Sequence, residues 1–392
     1  MRFASTTSLA PTLAAAVREA VAGIAPALDG ARPDLLVAFV SAQHAGAWAD
    51  LPDLLAAVGA RVTVGCSAGG VIGGGHEIEG RPGLALGAAI LPDVALAAAH
   101  VETDRLPPLE DAAGWRALVG DPAGNEPVHV LLLADPFTCD AEALLAGWDR
   151  HHGGGRTFGG LASGGSAPGQ NVLVADGTLH RGGAVAVALR GNVEVETIVA
   201  QGCRPVGDPM FVTAAEGPLI RSLDGEPAAH ALRGLYERLE PRDQELFRHS
   251  LFLGLVMRPA RDRYTQGDFL IRNIVGLDRE SGGVVVGAAP QTGSVVQFHL
   301  RDAATSAEDL EAHLASAGAA GRSPAGGFLF SCLGRGAQLY GTPDHDSEAF
   351  RRRFGDVPLT GFFCNGEIGP VQGTTFVHGY TSSFALFAPR VS

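Results

Sequence analysis

The sequence contains no lysine, so all 29 of its basic residues are arginine. This absence excludes a Schiff-base lysine, the lysine of a P-loop and the strand lysine of protein kinases. Arginine stays protonated in proteins, so it binds anions well but does not readily act as a general base. The basic residues therefore favour anion binding over lysine chemistry.

The chain also lacks excess positive charge, long apolar runs and paired cysteine motifs. Its 42 acidic residues give a net charge of −13, which argues against broad attraction to nucleic acid or anionic membranes. No run of about 18 uncharged apolar residues predicts a membrane span. Arg18 and Glu19 interrupt the first apolar segment, which predicts an amphipathic helix and not a signal peptide. Five dispersed cysteines without a C-x-x-C pair indicate reduced thiols, so we expect a cytoplasmic protein.

At 392 residues and 46% hydrophobic composition, the chain predicts two domains of mixed α/β class, each with mixed β-sheets flanked by helices. The first half contains two similar units of strand, helix, strand and two further apolar strands. The first two strands and the helix of each unit are predicted at 35–41, 47–59 and 61–65, and at 128–135, 140–150 and 156–165. The ends of the two units, RVTVGCSAGG and RTFGGLASGG, share Arg first, Gly fifth and a final Gly-Gly. The N-terminal domain is therefore predicted to be pseudo-duplicated.

A segment rich in proline and glycine at 202–217 is predicted to connect the domains, which we place at 1–215 and 216–392. Three successive antiparallel strands are expected beyond it, then a helix over 306–318 capped by Ser306. Another strand–helix–strand unit follows, at 326–336, 347–355 and 357–370.

Gly65 to Gly69 match G-x-S-x-G, the nucleophile elbow of α/β-hydrolases. An elbow needs a helix directly after the serine, whereas the following residues are too rich in glycine to begin one. We therefore predict a strand-end turn at 65–70 with exposed backbone N–H groups, and no catalytic residue. A serine hydrolase using Ser67 is kept as an alternative.

The strongest candidates for ligand binding lie at two strand ends in the C-terminal half. Arg335 and Glu367 follow strands that flank one helix, so their positions are expected to be neighbours in a sheet. Arginine binds a carboxylate and glutamate binds an ammonium group, which suits an amino-acid-like or other small anionic or zwitterionic ligand. The alternative is that the two side chains pair with each other. The predicted ligand-binding residues are Arg335, Glu367, Asn365, Cys332, Gly65, Cys66, Ser67 and Arg272.

Other polar residues are interpreted more plainly. Arg272 and the pair Arg301-Asp302 lie in or beside apolar strands, where charges must be paired or exposed. The segments 151–152 and 344–346 lack a second cluster at ligand spacing, so no metal site is predicted and both are expected to be solvated. A haem would need only one histidine, for which the candidates are His44, His76 and His299.

Several motifs together resemble the FIST family, a two-domain sensory module, over about residues 30 to 388. They are GCSAGG, GGAVAVAL, QGCRPVGDPMFVT, DFLIRNIVGLD, VQFHLRDA, FSCLGRG and GFFCNGEIGP, in this order. The resemblance implies a bacterial intracellular module that senses small ligands, amino acids among them, with haem binding reported for some members and an F-box in a eukaryotic relative. Because similarity fills the chain, we expect an output through a separate partner protein. The family offers no defined catalytic residues to carry over.

Overall fold

The computed structural model describes residues 1–120, 126–258, 263–319 and 323–390. The chain forms two compact units, one of residues 1–199, 311–377 and 381–392 and one of residues 200–310 and 378–380. The mixed α/β class with several mixed sheets is confirmed. The predicted connector at 202–217 is instead almost entirely a strand, while the division at 215/216 stays a prediction.

The first unit contains three copies of one succession of elements. The first copy comprises β1 (Arg2–Ser8), α1 (Leu13–Leu28), β2 (Leu35–Ser41), a 3-10 helix (Ala42–Asp50), α2 (Leu51–Ala56), β3 (Val62–Ala68), β4 (Gly70–Gly73), β5 (His76–Glu79) and β6 (Leu84–Ile90). The Thr12 side chain accepts a hydrogen bond from Ala15 N and so caps α1, and Asp29 ends it in the left-handed conformation.

The second copy repeats this succession between residues 94 and 191. It comprises β7 (Val94–Val101), a 3-10 helix (Thr103–Arg105), α3 (Ala112–Leu118), β8 (His129–Ala134), α4 (Ala141–His151), β9 (Thr157–Leu161), β10 (Leu173–Ala175), β11 (Thr178–His180) and β12 (Ala184–Gly191). The predicted duplication is thus present.

The third copy begins with β13 (Glu194–Gln201), after which the chain enters the second unit. That unit comprises β14 (Cys203–Glu216), β15 (Leu219–Leu223), β16 (Glu226–Pro227), α5 (Ala228–Arg238), α6 (Pro241–His249), β17 (Leu251–Val256), β18 (Phe269–Asp278), β19 (Gly283–Val286) and β20 (Val295–Arg301). The third copy then resumes with α7 (Ala303–Ala319), β21 (Gly326–Cys332), α8 (Ala337–Tyr340), α9 (His345–Phe354), β22 (Leu359–Cys364), β23 (Glu367–Val371), β24 (Thr374–His378) and β25 (Thr381–Ala388).

Each copy gives its hairpin to the sheet of another copy. The three six-stranded sheets have the orders β1-β6-β2-β3-β10-β11, β7-β12-β8-β9-β23-β24 and β13-β25-β21-β22-β4-β5. Position by position, each sheet holds an edge strand, an antiparallel strand, a parallel pair and a hairpin from a different copy. The sequence prediction found two of these copies, and the third is split by the second unit.

The parallel pairs approach closely at one glycine each. Gly65, Gly159 and Gly361 occupy the same position in β3, β9 and β22, opposite Ala38, Leu132 and Leu329. A Cβ atom at these glycines would lie 2.3, 1.8 and 1.7 Å from the opposite carbonyl oxygen. The sequence alignment of RVTVGCSAGG with RTFGGLASGG is therefore off by one residue. In the structure Gly65 corresponds to Gly159, whereas the alignment matched it with Gly160.

All three sheets of the first unit contribute to one apolar core. It contains Phe39 of the first sheet, Phe158 of the second, and Phe330 and Phe362 of the third. Phe39 stacks on Phe362 with ring centroids 4.7 Å apart. The helices cover the outer faces, as the second cluster between α1 and its sheet shows.

In the second unit the described strand pairings are antiparallel. The three strands predicted there are β18, β19 and β20; β18 pairs with β19, whereas β20 pairs with β14 and β17. β14 pairs with β20 through its first half and with β15 through its second, so the seven-stranded sheet closes on itself through β14.

Ser306 is not the cap of α7, which begins at Ala303. The Asp302 carboxylate accepts hydrogen bonds from Thr305 N at 2.8 Å and from Thr305 Oγ1 at 3.0 Å.

Within the part of the chain described, no helix has the length and apolar character needed to cross a membrane.

We expect Gly361→Ala to lower the free energy of unfolding by about 1–3 kcal/mol or more, because the added methyl group meets the Leu329 carbonyl. Urea unfolding followed by circular dichroism measures this. The control is Gly46→Ala, where nothing lies within 4 Å of the added Cβ. Equal small effects at both positions would contradict the role assigned to the close approach.

Candidate functional site

The two strands predicted to end at a shared site are neighbours. β21 and β22 pair in parallel, with Cys332 opposite Cys364 at their ends. Arg335 follows β21 in a short loop, and Glu367 begins β23 after a turn at Asn365. Cys332, Arg335 and Asn365 thus lie at one end of the third sheet, whereas Glu367 begins a strand of the second sheet.

Arg335 is fully buried and bound to an internal carboxylate. Its Nε donates to Asp346 Oδ2 at 2.9 Å, and its Nη2 donates to Asp346 Oδ1 at 3.1 Å and to the Tyr340 hydroxyl at 2.6 Å. Its guanidinium also lies 5.5 Å from the centre of the Tyr340 ring. Asp346 therefore binds the guanidinium of Arg335 in the bidentate way that the sequence analysis predicted for a ligand carboxylate.

Asp346 was expected in a solvated loop, and this expectation is wrong. The residue lies in the first turn of α9 and is 2% exposed. Burial alone would raise the pKa of Asp346. The Arg335 charge and hydrogen bonds from His345, Arg335 and Ser382 outweigh burial and hold that pKa well below its usual range. Asp346 therefore stays ionised inside the protein.

Glu367 is fully buried and accepts hydrogen bonds from neighbouring strands. Thr381 donates to Glu367 Oε2 through its backbone N at 3.0 Å and its Oγ1 at 2.7 Å, and the Cys364 thiol donates to Oε1 at 3.4 Å. Burial raises the pKa of Glu367 to about 7, against these hydrogen bonds. The carboxyl group therefore titrates near neutral pH.

Glu77 is a second buried acid, which the sequence reasoning missed. It lies on β5, the hairpin that the first copy gives to the third sheet, and accepts a hydrogen bond from Ser347 N at 2.8 Å. Burial, and then the negative charge of Asp346, raise the pKa of Glu77 to about 8. Its only sequence clue was an apolar-polar alternation, HEIE, after the glycines.

The turn predicted at 65–70 is wrong in its first half. β3 continues to Ala68, so Gly65, Cys66 and Ser67 lie inside a fully buried strand. Ser67 Oγ donates to Asn171 Oδ1 at 3.0 Å and accepts from Val172 N at 3.1 Å. No helix follows Ser67, as predicted, because the next element is β4.

The backbone N–H groups of this stretch are used within the protein. Ser67 N donates to Val172 O at 2.9 Å, and Gly69 N donates to Ser163 Oγ at 2.9 Å. Ser163 N in turn donates to Ser67 O at 3.2 Å. The ends of the first two copies therefore bind each other instead of exposing donors to a ligand.

The other predicted ligand residues differ in exposure. Asn365 is exposed and donates through Nδ2 to Ala162 O at 3.1 Å, and Cys332 is half-buried. Arg272 lies on β18 in the second unit, where its Nη1 donates to Ile271 O at 3.1 Å. Of the predicted set, Asn365 is the side chain most open to solvent.

The first unit also contains a cavity of about 420 Å³ that the sequence reasoning did not predict. This volume falls within the range typical of small-molecule sites. Its lining combines one guanidinium, two carboxylates and an apolar wall. The lining residues are Arg156, Glu194, Val195, Glu196, Thr197, Pro324, Phe354, Leu386, Phe387 and Ala388.

None of the three histidines considered for haem lines this cavity. His299 is fully buried, with its ring 4.8 Å from that of Phe269, and burial lowers the pKa of His299 to about 4. His44 is buried as well, and the exposed His76 lies 3.1 Å from Asp344. Within the described ranges, no group of three or more acidic, histidine or cysteine side chains is arranged to hold a metal ion.

Comparison with known proteins identifies the class of protein. Residues 34–226 match the model of the FIST N domain, and residues 228–370 match the model of the FIST C domain. The chain therefore belongs to the FIST family, whose domains are sensory domains of signal transduction proteins.

The relatives include bacterial proteins of the same length. An uncharacterized protein of Mycobacterium tuberculosis is 37% identical over 394 residues, covering 99% of this chain and 100% of its own. Another, from Mycobacterium bovis, is 36% identical over 393 residues and 99% of each chain. The human F-box only protein 22 is 40% identical over 76 residues, which cover 15% of this chain and 19% of that protein. A cyanuric acid hydrolase structure aligns with a TM-score of 0.30 and 12% identity, a similarity too low to indicate a shared function.

We expect Arg335→Met to lower the free energy of unfolding by about 3–5 kcal/mol, because it leaves the Asp346 charge buried without its partner. Chemical denaturation at neutral pH measures the loss. Arg351→Met is the control, since this α9 side chain is 55% exposed and its ion pair with Glu348 is worth about 1 kcal/mol or less. Adding Asp346→Leu to Arg335→Met should recover part of the loss. A single variant as stable as the control would refute a central role for the pair.

We expect Glu77→Gln to raise the melting temperature relative to the wild type more at pH 8 than at pH 5. The raised pKa means that the folded protein binds more protons than the unfolded chain between the ordinary value of 4.5 and about 8. The contribution of Glu77 to stability therefore falls as pH rises through this window. Glu79→Gln, on the same strand and half-buried, is the control in the same thermal unfolding series. A benefit that does not depend on pH would rule out this titration as its origin.

Proposed function

We propose that this protein is a sensory protein that binds a small amino-acid-like or other anionic or zwitterionic metabolite. The observation that carries the proposal is the cavity of about 420 Å³ in the first unit. Arg156 provides a cationic group for a carboxylate, and Glu194 and Glu196 provide anionic groups for an ammonium. This is the ligand chemistry expected from the sequence, at a different place in the fold.

The composition of the cavity lining indicates which kind of ligand it suits. The lining also includes the apolar residues Phe354, Leu386 and Phe387, which suit a small apolar side chain or carbon skeleton. The mixed charge of the lining disfavours a ligand with several charges of one sign. A compact zwitterion matches both parts.

The strand-end residues predicted from sequence serve this proposal differently. Arg335 and Glu367 are buried and bound to internal partners, so we assign them to the support of the fold. Asn365 and Cys332 remain the part of that set open to a ligand, and they define a second location to be tested.

We further propose that ligand occupancy is passed to a separate partner protein and that the protein acts in the cytoplasm without enzymatic activity. Family membership supports the signalling role. The burial of Ser67, and its hydrogen bonds to Asn171 and Val172, support a structural role over a nucleophilic one.

We expect at least one compound in a set of the common amino acids and small carboxylates to raise the melting temperature, with binding confirmed by isothermal titration calorimetry. Arg156→Gln should weaken that binding at least about tenfold, the effect of losing about 1.4 kcal/mol. Arg150→Gln, an exposed arginine on α4, is the matched control and should bind as the wild type does.

The same titration separates the two locations. Loss of binding in Asn365→Ala, with Arg156→Gln unaffected, would move the site to the strand ends and overturn the cavity assignment. A screen in which no compound changes the melting temperature would overturn the ligand class itself.

A further inference from the structure

Two cysteines face each other across neighbouring strands at the edge of the first unit's core. Cys332 ends β21, Cys364 ends β22, and they are directly paired in the parallel ladder. Neighbouring strands lie about 4.7–4.9 Å apart, within the range of about 4.4–6.8 Å between the Cα atoms of a disulfide. This placement needs no change of strand register for a bond between the two sulfurs.

The two side chains also point to the same side of the sheet. Phe330 and Phe362, two residues earlier in each strand, both lie in the common core. Because side chains alternate along a strand, Cys332 and Cys364 share that face. Both residues are thiols in the structure.

The two cysteines differ in exposure, and this difference indicates which of them reacts first. Cys332 is half-buried and therefore reachable by a small oxidant, whereas Cys364 is fully buried. The Cys364 Sγ lies 3.4 Å from both Ser331 O and Glu367 Oε1, so Glu367 is a carboxylate within reach of its proton. Burial, and then the Glu367 charge, raise the pKa of Cys364 well above its ordinary value, so an acceptor for this proton is needed. The Arg335 guanidinium also interacts electrostatically with Cys332.

From this geometry we propose that Cys332 and Cys364 form a reversible disulfide, with Cys332 as the peroxide-reactive thiol, Cys364 as the resolving thiol and Glu367 as the proton acceptor. Hydrogen peroxide is the oxidant. Its O–O bond breaks as an S–O bond forms on Cys332, giving a sulfenic acid and one water.

In the second step the Cys364 sulfur attacks the Cys332 sulfur. The S–S bond forms, the S–O bond breaks, and the oxygen leaves as hydroxide, which takes a proton to become the second water. The Cys364 proton passes to Glu367 and then to solvent. Two thiols and one peroxide thus become one disulfide and two waters, and a dithiol reverses the change.

The bond would link the ends of β21 and β22 covalently. It would also remove the thiol hydrogen that Glu367 Oε1 accepts. Oxidation therefore changes both the mobility of the strand ends and the hydrogen bonding of a buried acid.

The test uses the full chain, reduced, desalted and then exposed to a few equivalents of hydrogen peroxide. After alkylation of remaining thiols and digestion with trypsin, Cys332 and Cys364 fall on different peptides, because Arg335 and Arg353 separate them. Mass spectrometry without reduction should find these two peptides linked, and dithiothreitol should release them. Cys139→Ser is the control, since Cys139 is also half-buried, and it should leave the link intact.

Two variants test the assigned roles. Cys364→Ser should trap Cys332 as a sulfenic acid that dimedone labels. Glu367→Gln should slow the second step severalfold, so that dimedone labelling rises while the linked peptides fall; circular dichroism confirms that each variant is folded.

Wild-type protein in which Cys332 oxidises while Cys364 is recovered fully alkylated after unfolding would overturn the proposal. So would a link from Cys332 to Cys139 or between two chains. Equal rates in Glu367→Gln and the wild type would remove Glu367 from the reaction.

Discussion

Each sheet of the first unit is completed by a hairpin from another copy of the repeated succession, and the arrangement of the polar residues depends on this exchange. The hairpin of β4 and β5 leaves the first copy directly after β3, and its strand β4 pairs with β22 of the third copy. The strand ends that would otherwise be turns therefore become sheet positions with both faces covered. Gly70, for example, faces Phe363, and an added Cβ there would lie 2.8 Å from that ring.

The exchange also brings the buried acid Glu77 close to Asp346, so that burial and then the negative charge of Asp346 raise the pKa of Glu77. Arg335 and Asp346 neutralise each other through two hydrogen bonds. Glu77 lies on β5 in the third sheet and Glu367 on β23 in the second, and burial raises the pKa of each. The fork of arginine suits the paired site better than an ammonium would, because it reaches both oxygens of Asp346 and the Tyr340 ring. A chain without lysine loses nothing at this site.

The strand–helix–strand units and the adjacency of β21 and β22 could be predicted from the sequence, since both follow from local hydrophobic periodicity. The strand β14 could not, because its prolines and glycines indicated a connector. The burial of Asp346 could not be predicted either. It depends on the contact of Asp346 with Ser382, and on that of the next residue, Ser347, with Glu77 in a hairpin 270 residues earlier in the chain. The G-x-S-x-G match failed as a turn for the same reason, because Val172 of another copy extends the ladder past Ser67. The glycines did mark a special region, but they are there because the paired strands approach closely and not because the chain turns. The alignment of the two repeat ends made from the sequence was also off by one residue.

The cavity and the buried ion pair lie at opposite ends of the same two elements. Phe354 ends α9 at the cavity and Asp346 lies in its first turn, while Phe387 and Ser382 occupy the two ends of β25. A ligand in the cavity would therefore contact two elements whose other ends hold the ion pair. A ligand transmits its presence only if it binds two arrangements of these elements with different affinity. The ion pair resists continuous deformation, because stretching either hydrogen bond exposes a buried charge, and it therefore favours discrete arrangements over gradual ones.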